Sequence, residues 1–363
     1  MRRLISYLIP FFLTVLVIAV IMAVLLVPLA LMQDNPAGVL KTFFLGPFGS
    51  IRHMGNVVEA ATPIMLTGLA ITIMFRSGLF NLGAESGFFL GALGAVAGAV
   101  LLPSLGWFSL PVAILCGAVA GSFACTIPAA LRLRFGASEM VTSLVLNYAF
   151  LFLGLFVLNY VIRDPAAGGM MSLKIPPDAK LDRLLAGTRL NSGSIIAILA
   201  CIAGGIWLYW TRSGLNIRIA GSSPGFANHL GLPLKRIIMR AQIVGGLVAG
   251  MAGALEVLGL HARFAWLDLP GYGWTGLVVA ILARENPFLL IPSALFLGFV
   301  QIGGDLLARN MNIPTEVVGL VTAAIMVGAT ASVIHNHPTV LRLIRNLRNR
   351  EGEQAVVQAG VQP

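Results

Sequence analysis

Residues 221–260 read GSSPGFANHLGLPLKRIIMRAQIVGGLVAGMAGALEVLGL, and the two halves of this stretch are chemically opposed. From 241 to 260 the only charged residue is Glu256. A bilayer core of about 30 Å is crossed by about 20 apolar residues of helix, so this half is one membrane span. The preceding half carries Pro224, His229, Pro233, Lys235, Arg236 and Arg240, and belongs in water. Ser223 before Pro224 is a helix start, while Gly231 followed by Pro233 is a stop. The helix between them is about two turns long, too short to be stable alone in water, so it needs a surface to rest on.

The remainder of the chain repeats the apolar half of that pattern. Of 363 residues, 58% are hydrophobic and 10% charged, with a mean hydropathy of +0.90, whereas a soluble domain is about one quarter charged. Backbone polar groups in lipid must be satisfied within the segment, which leaves helices or closed barrels, and the apolar runs lack the alternation of a barrel. The fold class is therefore all-α: a polytopic helical membrane protein with about ten transmembrane helices, some broken or short. The expected spans lie at 5–31, 57–75, 83–102, 111–131, 139–162, 194–211, 241–260, 272–283, 287–308 and 314–334. The N-terminal run is too long for a cleaved signal peptide and is expected to stay as the first span. GAVAG at 94–98 and again at 117–121, and GLVAG at 246–250, are spacings that let helix backbones approach closely.

The net charge of +10 does not point to nucleic acid, because the basic residues flank apolar runs, as membrane topology requires. Placing Arg2 and Arg3 in the cytoplasm places 15 of the 24 basic residues there, both termini included. The domain reading is a membrane domain over 1–335, interrupted by the polar loop 212–240, and a basic cytoplasmic tail over 336–363 that lies on anionic lipid. Cys116, Cys125 and Cys201 lie in apolar runs without metal-site or disulfide spacing.

Depth along the helices singles out the polar residues. Glu85 is nine residues beyond Arg76, about 13 Å along a helix, and Asn147 lies about 12 Å beyond Glu139. Two polar side chains near mid-membrane on different helices point to one polar cavity. Alternatively, Glu85 belongs to a helix cap with Asn81. Glu256 and Asp305 come out closer to the far surface, about 24 and 27 Å from their inner boundaries. Phe80, Asn81, Glu85, Asn147, Tyr148, Tyr272 and Trp274 form the candidate lining for a polar solute with a flat ring or sugar face. The short run 272–283, preceded by LDLPGYGWTG, is the kind of broken segment that borders a solute path.

Three motifs, RSGLFNLGAESGFFLGA, GASEMVTSLVLNY and DLPGYGWTGLVVAILARENP, together with the loop and span from Arg212 onward, resemble bacterial ABC-importer permeases for simple sugars, nucleosides and branched-chain amino acids. The likeness runs from about residue 57 to 330 and is narrowest toward nucleoside permeases that work with basic-membrane-protein-type lipoproteins. It implies a permease in the bacterial inner (plasma) membrane. The implied partners are a second permease subunit, identical or homologous, a separate ATPase with two nucleotide-binding domains that carries ATP and Mg, and an extracytoplasmic substrate-binding lipoprotein. It also implies that Ser223, Pro224, Ala227, Gly231 and Pro233 form the element that docks on the ATPase. The chain departs from the family at Ser86-Gly87, where a Gly-Gln pair is common, and at Phe226-Ala227, where paired alanines are common.

The chain contains no G-x-x-x-x-G-K-[ST] phosphate loop, so no enzyme activity of that kind is expected and no cofactor is assigned to this chain. The reading is thus the permease subunit of an ATP-driven importer of a nucleoside or simple sugar. The alternative is an ion-coupled secondary transporter in which Glu85 titrates.

Overall fold

In the computed structural model, residues 35–311 are described continuously, with single positions between 20 and 31 and between 313 and 328. The expected spans 5–31 and 314–334 lie largely outside the described residues, and the tail 336–363 lies wholly outside them. By contact density, 43–306 forms one unit, and 1–42 with 307–363 forms another.

Helix boundaries follow from capping residues and chain breakers. After a short helix α1 (Pro36–Leu45), the Ser50 hydroxyl accepts from His53 N and starts α2 (Ile51–Arg76). Arg76 in the last turn of α2 complements the negative end of its dipole. The run 57–102 is broken as expected: a turn over 77–83 separates α2 from α3 (Ala84–Leu101). Helix α4 (Ser109–Phe135) ends on Gly136, whose φ of 71° is left-handed, with Arg132 and Arg134 in its last turn. There follow α5 (Glu139–Tyr160), α6 (Gly193–Trp210), α7 (Arg212–Ser222), α8 (Pro224–His229), α9 (Leu234–Leu260), α10 (Tyr272–Leu282) and α11 (Pro287–Asn310).

Seven helices among the described residues are long and apolar enough to cross a bilayer: α2, α3, α4 with its lead-in from Gly106, α5, α6, α9 and α11. The protein is a polytopic helical membrane protein. Helix α2 is central, with 83% of its apolar window buried, whereas α4, α5 and α6 are each 33% buried and turn most of their surface outward.

Small residues set the closest crossing. A Cβ on Gly250 of α9 would strike the Gly117–Ala118 backbone of α4, and one on Gly91 of α3 would strike Gly250. The GAVAG at 117–121 and the GLVAG at 246–250 therefore meet, and α3, α4 and α9 pack backbone to backbone.

The chain between α5 and α6 folds over the C-terminal end of α9. Ile175 N donates to Ala262 O, Leu181 N to Leu258 O, and Arg263 pairs with Asp164 at 2.6 Å. The opposite end, where α2 and α4 finish and α9 begins, carries Arg76, Arg132, Arg134, Lys235, Arg236 and Arg240 and the α7–α8 segment. These are called the cavity end and the basic end below.

The crossing between α9 and α11 is only half helical. Helix α10 has 11 residues, about 16 Å of rise, and the 261–271 segment that completes the passage is non-helical.

Candidate functional site

The turn 77–86 is locked from three helices. Asn81 Nδ2 donates to Cys125 O at 2.8 Å and to Gln242 Oε1 at 2.9 Å, while Gln242 Nε2 donates to Ser77 Oγ at 3.1 Å. Leu82 N donates to Ser143 Oγ at 3.0 Å, and Asn147 Nδ2 donates to Leu82 O at 3.2 Å. Asn147 Oδ1 accepts from Ser86 N at 3.4 Å. Asn81 and Asn147 thus hold backbone that leaves its helix inside the protein, where unpaired groups would be costly. The expected cap is different in detail: Gly83 occupies the N-cap position of α3, and Asn81 Oδ1 accepts from Gly83 N.

Glu85, only 1% exposed, serves another helix. Its Oε1 accepts from Gly271 N at 2.6 Å, and its Oε2 accepts from Gly273 N at 2.6 Å and Trp274 N at 3.4 Å. These are the orphan donors at the start of α10, so the carboxylate is the N-terminal cap of a half-helix from a remote part of the chain. Gly273 is required there, because a Cβ would collide with Glu85.

Beyond α10, where a full crossing would continue, there is instead a polar cavity of about 460 Å³ at the cavity end. Glu59, Glu256, Tyr272, Trp266, Gln301 and Asp305 are among its walls, with Arg189 and His261 at its margin. The Tyr272 hydroxyl donates to Glu256 Oε1 at 3.1 Å. Glu59 is 7% exposed, yet its carboxylate accepts no hydrogen bond from the described residues, although Arg189 acts on it electrostatically. Its side chain lines the open cavity, so this group is set to receive donors from whatever enters. Behind the lining aromatics, the buried Phe88 packs on Tyr272 at 4.7 Å and Trp266 at 5.7 Å between ring centroids.

At the basic end, the Ser223 hydroxyl accepts from Phe226 N and Pro224 occupies the first turn of α8. Gly231 has φ +69°, and Leu232 N donates to Ala227 O at 3.0 Å as the chain turns toward Pro233 and α9. Ala227 is fully buried against its own chain, while Phe226 and Leu230, one turn apart, are 55% and 53% exposed. Gly221 packs on the 76–78 backbone, where a Cβ would strike Arg76 and Gly78.

The structure therefore gathers Asn81, Glu85 and Asn147 at one corner and sends Tyr272 into the cavity. Trp274 is half exposed, Tyr148 points outward, and Phe80 stacks on Phe75 at 4.2 Å. Sequence reasoning overlooked Glu59, Gln242, Trp266 and Arg189. Glu59 was within reach: it lies 17 residues from Arg76, about 26 Å, at the depth already assigned to Glu256 and Asp305.

A family described as branched-chain amino acid transport system / permease component matches residues 53–330. The chain belongs to this permease family. Among its relatives, this permease is 29% identical to the guanosine ABC transporter permease protein NupP of Bacillus subtilis, over 79% of the chain and 83% of the relative. It is 28% identical to the glucose ABC transporter permease protein TsgB13 of Haloferax volcanii, over 86% and 85% of the two chains. It is 28% identical to the nucleoside ABC transporter permease protein NupB of Lactococcus lactis, over 80% and 83%. The protein is an ABC transporter permease, a membrane component and not an enzyme.

Proposed function

We propose that this permease is the membrane subunit of an ATP-driven importer in a bacterial plasma membrane, and that its solute is a nucleoside or simple sugar. The relatives named above are guanosine, nucleoside and glucose permeases, which supports that class. The observation that carries the reading is the placement of an acceptor-rich cavity and an exposed two-turn helix at opposite ends of α9. In the cavity, Glu59 and Glu256 accept hydroxyl or ring N–H donors, and Tyr272 and Trp266 offer flat faces to a base or sugar. At the basic end, Ser223 and Pro224 start α8, Gly231 and Pro233 end it, and the buried Ala227 anchors it, leaving Phe226 and Leu230 to seat in a cleft of the ATPase.

On this reading the basic end is cytoplasmic, as are both termini, and about ten crossings are completed by spans before residue 35 and after 311. The membrane domain runs over 1–335 and the tail over 336–363. ATP and Mg belong to the partner ATPase with its two nucleotide-binding domains, an extracytoplasmic lipoprotein delivers solute, and a second permease completes the path. A second, distinct permease is supported by a further relative in Bacillus subtilis, the guanosine ABC transporter permease protein NupQ.

The decisive experiment is reconstitution in vesicles with and without the ATPase subunit. Uptake of labelled nucleoside or sugar is expected only with the ATPase and ATP. Uptake by the permease alone, with a rate that follows a proton or sodium gradient, establishes the secondary carrier instead, with Glu59, which accepts no hydrogen bond from the described residues, as its coupling group.

A further inference from the structure

A second concavity, of about 570 Å³, lies at the basic end between the last turn of α4 and the first turns of α9. Ala130, Leu133 and Met239 form its apolar wall, and Arg134, Lys235, Arg236 and Arg240 surround it. No acidic side chain among the described residues lines it. Glu139, at the start of α5, is taken by Arg132 at 3.3 Å. Among the described residues, none of the four cations has an ion pair; Arg134 lies only over the Phe135 ring. Four cations without an ion pair among the described residues converge on one groove and repel one another, and an anion relieves that repulsion.

The apolar part of the groove continues along the membrane-spanning helices. On α4, Phe123 lies two turns from Ala130, Val119 and Leu115 follow it at successive turns, and the three are 53%, 55% and 61% exposed. On α9, Ile243 lies one turn beyond Met239 and is 37% exposed. A cationic mouth at the water boundary opening into an outward-facing apolar stripe matches an anionic headgroup with its acyl chain. A free phosphate would use the charges and leave the stripe unused. A second copy of this chain would bring the same charges against themselves.

We propose that this groove binds an anionic phospholipid. The headgroup phosphate sits among Arg134, Lys235, Arg236 and Arg240, and an acyl chain lies along the 115–123 stripe. That the lipid belongs to the cytoplasmic leaflet rests on the transport reading; the lipid assignment itself does not.

The test is native mass spectrometry of the full-length protein purified with its partners from vesicles of equal phosphatidylglycerol and phosphatidylcholine. Wild type is expected to retain phosphatidylglycerol selectively. R134Q/R236Q/R240Q is expected to lose that retention by roughly fivefold per removed charge. K174Q/K180Q, which removes positive charge in the 163–192 segment, is expected to retain it. Millimolar inorganic phosphate is expected to leave the bound lipid in place. Equal retention of the two lipids, equal loss in the K174Q/K180Q control, or displacement by phosphate overturns the proposal. So does crosslinking of M239C to a second permease or to the ATPase. Because lipid retention is read without transport, failure here leaves the uptake experiment intact, and failure of uptake leaves lipid retention intact.

Discussion

Glu59 and Glu85 are both buried carboxylates on neighbouring helices, and their surroundings give them opposite duties. Glu85 accepts from three backbone N–H groups, whereas Glu59 accepts from none of the described residues. Replacing Glu85 with Gln turns an amide N–H toward a backbone N–H and removes charge-assisted bonds, at a cost of about 1.5–3 kcal/mol. The expected outcome of E85Q is a lower unfolding temperature and reduced uptake, with E85D intermediate. E59Q places its amide in an open cavity: stability is expected within about 0.5 kcal/mol of wild type, and the solute concentration for half-maximal uptake is expected to rise roughly tenfold. Thermal unfolding in detergent and uptake over a range of solute concentrations distinguish the two, and the reverse pattern reverses the assignments. Glu85 stands out in the sequence as a charge within an apolar run, but the helical rise counted from Arg76 does not apply, because 77–83 is a turn and Glu85 lies in the first turn of α3. The sequence could not show what the carboxylate touches, because its donors lie some 186 to 189 positions away.

At the scale of elements, the long spans were legible because about twenty apolar residues in lipid leave the backbone little choice but a helix. The half-helix α10 was legible too, from its length and the Pro-Gly-rich approach. Helix α7 was not. Its 11 residues mix Arg212, Asn216 and Arg218 with small and apolar residues, and its stability comes from contacts that sequence does not display. The Thr211 hydroxyl caps it by accepting from Gly214 N at 3.1 Å, and Gly221 lets it rest on the 76–78 backbone. These two short helices yield separable predictions. F226E/L230E puts charge on the exposed face of α8 and is expected to abolish ATPase co-purification while membrane insertion persists. Retention of the ATPase by this variant removes α8 as the docking element. Ala227 is the poorer probe, because its side chain faces the protein's own interior.

Across the whole 43–306 unit, the two ends are linked through contacts that can be traced. Gly221 of α7 bears on Gly78; the turn that follows is held by Gln242 and Asn147; Glu85 then grips α10, whose first residue, Tyr272, bonds Glu256 in the cavity. Arg76 adds a second tie, donating to Glu285 O at 3.1 Å beside a turn in which Arg284 and Glu285 both have left-handed φ. Those two conformations each cost roughly 1–2 kcal/mol and persist because the Arg76 contacts over-determine them. Contiguity alone does not establish transmission, since coupling requires that both ends bias the same two-state element. Helix α10 is the candidate for that element, because it runs from the cavity to the 284–285 turn. A double-mutant cycle checks this. G221V, which pushes α7 off the 76–78 backbone, is expected to leave the ATPase bound but slow ATP-driven uptake at least tenfold. Combined with E85Q, which already frees α10, G221V is expected to add little further loss. Additive losses would mean that the docking helices and the half-helix act independently, and that force from ATP reaches the cavity by another route.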